Sequence, residues 1–352
     1  MKIIEEILSA SQSDTVRLLK SRKARNPEVC QRLLRKADQT ILSTPRDGLP
    51  IARLGTRLAH SLPGYYPGAK CLKARSFAVL GSAHRATGRY DAARKAFELS
   101  ERYHSCDQCR ADLHRRRSYL CYAEGNPLNA LDEAELAMEI YQRVGDQNGE
   151  AKTLVARSMW RYLSDALSIE EALEDARAAL FKLNKDETTF RIAALHNISV
   201  LLARSNSLLR VLAALALIPR LRRHLKGVEK ISVERAKMKW FEGNLCARAR
   251  LFGKAEKYLE TARNQLIELG LKHDIAAVTA DLMKAKYPDR NGIRAACRTA
   301  LPFVLPEHAD MLKAILTKED NLMTLIDQLR EKATCGLMPQ PWTFSRLRPG
   351  EV

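Results

Sequence analysis

Aromatic residues make up only 6% of this 352-residue chain. No apolar run approaches the roughly 18 residues that a membrane-spanning helix needs, and the longest, residues 211–219, falls well short. So few aromatics argue against one deep core; thin layers between neighbouring helices, which Ala and Leu can fill, suit the composition better. The opening stretch is broken by Glu5 and Glu6, so it does not read as a secretion signal. Without an export signal the eight cysteines are expected to stay reduced, in a cytoplasmic protein. The chain also lacks Gly-x-x-x-x-Gly-Lys-Ser/Thr, Gly-x-Gly-x-x-Gly, His-Glu-x-x-His and Gly-x-Ser-x-Gly. The adjacent acids Glu5-Glu6 and Glu170-Glu171 would point about 100° apart on a helix, which suits helix starts better than acid–base chemistry. No enzymatic activity, catalytic residue or cofactor is therefore expected.

What is present is helical periodicity almost from end to end, with no strand alternation. After Gly88, residues Ala93, Ala96, Phe97, Ser100 and Tyr103 form one apolar stripe. Small residues at Ala93 and Ser100 let a second helix approach, and Phe97 fills the space between. The grammar Ala-x-x-x-apolar-x-x-small recurs at Ala130, Ala134 and Ala137, then at Ala172, Ala176 and Ala179. It fades at Ala213 and Leu217, where Arg220 breaks it, and returns at Ala255, Leu259 and Ala262. Gly243 stands twelve residues before Ala255, as Gly81 does before Ala93. Successive anchors are 37, 42, 41 and 42 residues apart. Turns are expected at 87–89, 124–127, 145–149 and 184–186, and Ser168 with Glu171 reads as a capping box.

The set Leu80-Gly81, His84, Gly88, Tyr90, Ala93, Phe97 and Ser100 resembles a tetratricopeptide repeat, and 240–282 repeats the likeness. The family period is about 34 residues. The longer spacing here is similar to the arrays of bacterial signalling and transcription-regulator proteins. The resemblance implies an all-α, right-handed α-solenoid of helix pairs with helical caps. Residues 1–62 are expected to be an N-terminal cap or degenerate repeats, 68–290 an array of about five helix pairs, 291–335 C-terminal capping helices and 336–352 a flexible tail. It also implies a non-enzymatic scaffold or regulatory adaptor binding a partner in a concave groove lined by the first helix of each pair. Ser76, His84, Arg117, Tyr119, Asn197, Lys239, Asn244 and Arg248 are the groove candidates.

The net charge of +18 bears on partners. A basic patch is expected from Arg17, Lys20, Arg22, Lys23, Arg25, Arg32, Arg35 and Lys36, from Arg115 and Arg116, and from Arg220, Arg222, Arg223 and Lys226. Arg346 and Arg348 add to the tail. Such residues contact phosphates or an acidic protein surface. The leading expectation is a protein partner with an acidic surface and no membrane contact; the alternative is a nucleic-acid-associated subunit of a defence or ribonucleoprotein complex. Aromatics interleaved for base stacking are scarce. Cys106 and Cys109, with His104 and His114 nearby, have metal-like spacing, but two thiols are half of a closed zinc site. The expectation is incidental cysteines in a turn and no metal; Cys71, Cys121, Cys246 and Cys297 read as packing residues.

Overall fold

The structure is a computed structural model. It describes residues 2–10, 14, 17–19, 21, 24–43, 45–66, 68–103, 106–164, 169–204, 207–223, 233–287, 289–317 and 321–334. These form α1 (Lys2–Ser9), α2 (Pro27–Ser43), α3 (Pro45–Ser61), α4 (Ala69–Ala86), α5 (Tyr90–Tyr103), α6 (Asp107–Ala123), α7 (Pro127–Val144), α8 (Gln147–Ser164), α9 (Ile169–Lys182), α10 (Thr188–Arg204), α11 (Leu208–Arg223), α12 (Val233–Arg248), α13 (Phe252–Glu268), α14 (Lys272–Lys286), α15 (Arg290–Ala300), a 3₁₀ turn (Leu301–Phe303), α16 (Pro306–Thr317) and α17 (Leu322–Thr334). Among the described residues there is no strand, and no helix is long and apolar enough to cross a membrane. The fold is all-α.

The chain divides into two compact units, Met1–Ala194 and Leu195–Trp342, with the boundary inside α10. In the first unit, α2 packs on α3, α4 on α5, α6 on α7 and α8 on α9. The first helices α2, α4, α6 and α8 also adjoin in sequence order. Consecutive helix pairs stacked this way are the arrangement of a solenoid. In the second unit α12 packs on α13 and α13 on α14, and the last helix, α17, folds back onto α14. The expected tail, 336–352, and the proposed capping residue Ser168 lie outside the described residues.

Local chemistry places the turns. Asn126 caps α7 by accepting from the Asn129 amide at 3.2 Å, and Pro127 enters at the first helical position, where no amide partner is needed. At the other end Gly145 takes φ 72°, a left-handed conformation that glycine adopts without strain.

The recurring small residue has a steric reason. A Cβ on Gly81 would lie 2.5 Å from the Phe97 ring, and one on Gly243 would lie 2.6 Å from Leu259 Cγ. Ser100, small in its turn, donates to the Ala74 carbonyl at 2.8 Å across the α4–α5 contact. Twelve residues before and four after three of the anchors, large and small exchange places: Gly81 with Phe97, Trp160 with Ala176, Gly243 with Leu259; around Ala130 both positions are small, Ser118 and Ala134. All of these are buried. Volume at one position is traded against volume at the other, as close packing requires.

The unit around 213 corrects the sequence reading. Ala213 is exposed, while Val211, Ala214, Ile218 and Leu221 are buried along α11. The anchor is Ala214, one residue later, and the apolar stripe continues through Pro219 instead of failing at Arg220. The stripe was hard to see because Ala213 and Ala214 are adjacent and Leu209, Leu212 and Leu217 crowd the window. Leu202 and Ile218 are both large, so the volume trade is not kept there.

Gly81→Ala is expected to cost about 1–3 kcal/mol, because Phe97 must move. Gly253→Ala, where an added Cβ meets nothing within 4 Å, should be neutral or stabilising by up to about 1 kcal/mol. Equilibrium denaturation of the two variants checks both signs.

Candidate functional site: an arginine-rich face on the first helices

The first unit carries a dense polar layer on α2, α4, α6 and α8. Its centre is Arg116, whose side chain is only 8% exposed. Nη1 and Nη2 donate to the two oxygens of Asp38 on α2 at 2.8 and 2.9 Å, a bidentate grip. Nη1 also donates to Ser82 Oγ on α4 at 3.0 Å, and Nε to Asp112 on its own helix at 2.8 Å. Arg115 pairs with the same Asp112 and hydrogen-bonds Tyr141 on α7. Arg116, Arg115 and Arg75 outweigh burial and hold the Asp112 carboxyl far below the usual carboxylate range. Arg116 is in turn held above the usual guanidinium value by Asp112 and Asp38, which outweigh its desolvation.

Beside this layer the aromatic residues gather. The Arg85 guanidinium of α4 sits 5.5 Å from the centre of the Tyr119 ring of α6. Tyr119 meets Trp160 of α8 edge-on at 5.6 Å, and Trp160 stacks on Tyr122 at 4.1 Å. Burial pushes the Arg85 guanidinium down from its ordinary value; Tyr119 and Tyr90 oppose this and Arg116 adds to it, with no carboxylate among the described residues beside it. Burial raises the Tyr119 hydroxyl, opposed by Arg115, Arg85 and Arg116. Further along α8, Arg157 grips Asp175 of α9 through two bonds of 2.8 and 2.6 Å, and Arg161 reaches Glu171 at 3.2 Å. Arg85 therefore differs from Arg115, Arg116, Arg157 and Arg161: each of those has an acidic partner, and Arg85 has a ring.

The groove candidates scatter over several environments. Tyr119 lies in this face. His84 is half-buried next to Arg85; burial, Arg53 and Arg89 push its ring towards neutrality, and its Nδ1 is buried without a hydrogen-bond partner among the described residues. Arg117 turns the other way and pairs with Glu101 of α5 at 2.6 Å. Ser76 is fully buried, its hydroxyl donating to the Lys73 carbonyl at 2.8 Å, so it serves the helix.

In the second unit Asn197 is buried beside His196. The His196 ring packs 5.3 Å from Phe241 and is pushed down to about 4 by burial. Lys239 lies 4.6 Å from the Tyr258 ring and 3.8 Å from Glu242. Asn244 donates to Asp281 at 3.0 Å, and Trp240 Nε1 and Arg330 Nε donate to the same carboxylate at 2.6 and 2.7 Å. Asp281 thus ties α17 to α12 and α14, and Asn244 belongs to that lock. Arg248 is exposed.

The expected basic patch is also redistributed. Arg115 and Arg116 are not surface residues but buried members of the Asp112 and Asp38 pairs. Three consecutive arginines read as a solvated run because Asp112 lies one turn back on the same helix while Asp38 and Glu101 lie on other helices, 78 and 16 residues away. Arg17, Arg25, Arg32 and Arg35 are exposed and Lys36 half-buried, with Arg32 paired to Glu28 at 2.6 Å. Arg220, Arg222 and Arg223 are exposed, and Arg222 pairs with Glu242. Lys20, Arg22, Lys23, Lys226, Arg346 and Arg348 lie outside the described residues. Arg85 went unnoticed in the sequence; its signal was its place beside His84 on a first helix.

Among the thiols, Cys106 and Cys109 stand close to Cys71 of α4. His114 is bound to Glu133 at 2.7 Å, and His104 lies outside the described residues. Cys246 and Cys297 are buried packing residues; Cys121 is half-buried.

No family model matches the chain, and no curated protein matches it. The fold and this face define an all-α protein of stacked helix pairs with an arginine-rich inner layer.

Asp112→Asn is expected to destabilise the protein by about 3–5 kcal/mol, because Arg115 and Arg116 lose a buried partner. The depressed Asp112 stabilises the fold fully above the ordinary aspartate value of about 4, and this contribution declines as pH falls below it. The stability gap between wild type and variant, measured by denaturant titration, should narrow there. His196 acts in a second window. It is neutral in the fold down to about 4, whereas an unfolded histidine protonates near 6.5. Stability should therefore fall by about 1.4 kcal/mol per pH unit between these values. A His196→Gln variant should show a flatter profile there.

Proposed function

We propose that the chain is a tetratricopeptide-type scaffold or regulatory adaptor. It is non-catalytic, works in the cytoplasm, and holds an acidic segment of a protein partner on the first-helix face of its first unit. The carrying observation is Arg85: a half-buried guanidinium over the Tyr119 ring, with no carboxylate beside it among the described residues. A desolvated cation without a counter-ion is unfavourable, so a partner carboxylate docking there would relieve the cost and add a charge-assisted bond. Tyr119, half-buried and backed edge-on by the buried Trp160, offers flat apolar area next to that charge, the mixture that dominates binding at interfaces. The stacked helix pairs and the repeated Gly81/Phe97 and Gly243/Leu259 fit support the repeat reading.

A nucleic-acid partner is the second reading, favoured by the net charge of +18 and by exposed Arg17, Arg25, Arg35, Arg220 and Arg223. It ranks below the first because Arg115 and Arg116 are committed to internal carboxylates.

The test is capture of partners from native cells by wild type and by Arg85→Glu, each with and without nuclease. The charge reversal should weaken capture by about tenfold or more, and nuclease should leave the wild-type partners in place. Partners that vanish with nuclease transfer the assignment to nucleic acid. Equal capture by the two proteins removes Arg85 from the site.

A further inference from the structure

The sequence pattern Cys106-x-x-Cys109 offers two thiols, and the fold supplies a third from 35 residues upstream. Cys71 Sγ lies 3.2 Å from Cys106 Sγ, and Cys106 Sγ lies 3.2 Å from Cys109 Sγ. All three sulfurs fall within 4.8 Å of one another and each is partly accessible. Cys30, Cys246 and Cys297, by contrast, are buried.

The placement of the three is specific. Cys71 is in the first turn of α4. Cys106 is the residue that caps α6, with extended backbone (φ −148°, ψ 152°) and no side-chain capping bond of its own. Cys109 is in the first turn of α6. Two neighbouring first helices therefore present their N-terminal ends to one cluster of sulfur. Helix N-termini carry partial positive charge and favour a thiolate over a thiol. Three soft sulfur ligands gathered this closely are a natural set for a thiophilic cation.

We propose that Cys71, Cys106 and Cys109 bind one Zn²⁺ ion as three thiolate ligands, with a solvent molecule completing a four-coordinate site. Zinc–sulfur bonds of about 2.3 Å in tetrahedral geometry separate the sulfurs by ~3.8 Å. Two of the observed separations, at 3.2 Å, fall about half an ångström below that value and the third lies within 4.8 Å, so a modest adjustment of the side chains brings the three sulfurs to it. On binding, three S–H bonds break, three Zn–S bonds form, and the protons pass to solvent. No redox partner is required. Among the described residues no further Cys, His, Asp or Glu joins the group, so the fourth position falls to solvent. The ion would clamp the N-terminal end of α4 to that of α6, the two helices that carry Arg85 and Tyr119. The site stands on its own geometry and does not depend on the binding role given to Arg85.

The full chain, purified under reducing conditions and stripped with a chelator, is titrated with Zn²⁺ against a chromophoric competitor, and separately with Co²⁺. The expected results are one Zn²⁺ per chain, a rise in Tm on binding, and the thiolate charge-transfer and tetrahedral ligand-field bands of cobalt. Cys71→Ser and Cys106→Ser should each weaken zinc binding by about 100-fold or more, beyond the loss typical of outer-shell changes. Cys121→Ser should bind as wild type does. Substoichiometric zinc in the folded wild-type protein overturns the site, whatever the variants do. So does a Cys71→Ser protein that keeps wild-type affinity, or a chain that under these reducing conditions holds a Cys106 disulfide in place of the ion. Circular dichroism of the stripped variants separates lost ligation from lost folding.

Discussion

The whole arrangement depends on how closely two helices of a pair can approach. Phe97 needs the bare face of Gly81, and Leu259 needs that of Gly243; where the first helix is bulky, as at Trp160, the second helix is small, as at Ala176. With so few aromatics, the layers between helices are thin, and each layer tolerates little excess volume. A fixed separation within each pair fixes where the first helix faces, and hence which side chains meet along α2, α4, α6 and α8.

That inner face is unusual in its charge. Arg116 reaches across two helices to Asp38 and Ser82, and shares Asp112 with Arg115. Buried ion pairs add little net stability compared with apolar packing, but they are intolerant of losing one member. Their effect is geometric: a bidentate grip from α6 onto α2 and a single bond onto α4 admit one relative placement of three successive first helices. In the second unit Asp281 does the same with Trp240, Asn244 and Arg330, pinning the last helix onto α12 and α14. The same arginine-rich layer leaves Arg85 without an acid among the described residues, and the same close approach of α4 and α6 brings Cys71 to Cys106 and Cys109.

The helical class, the pairing and the buried anchors Ala93, Ala130, Ala172 and Ala255 were legible along the chain, because a helix shows its buried face at fixed local spacing. The anchor near 213 was misplaced by one residue, since two adjacent alanines give local periodicity nothing to choose between. Much of the candidate site was not legible. Tyr119 and His84 were found from their positions on first helices. Arg115 and Arg116 were assigned to the surface because a run of three arginines looks solvated until Asp38, 78 residues away, is brought against it. Ser76 and Asn244 looked available and are engaged inside the fold.

What the sequence determined by itself is therefore the set of local properties: an all-α chain, helices with one apolar stripe, turns at Gly88 and Gly145, and a strongly basic balance. Each depends on neighbours within a turn or two. What only the tertiary structure decided is which charges and thiols meet. Arg116 with Asp38, Asp281 with Arg330, and Cys71 with Cys106 are pairs separated by 78, 49 and 35 residues. No local spacing encodes such meetings; they follow from the stacking of successive helices.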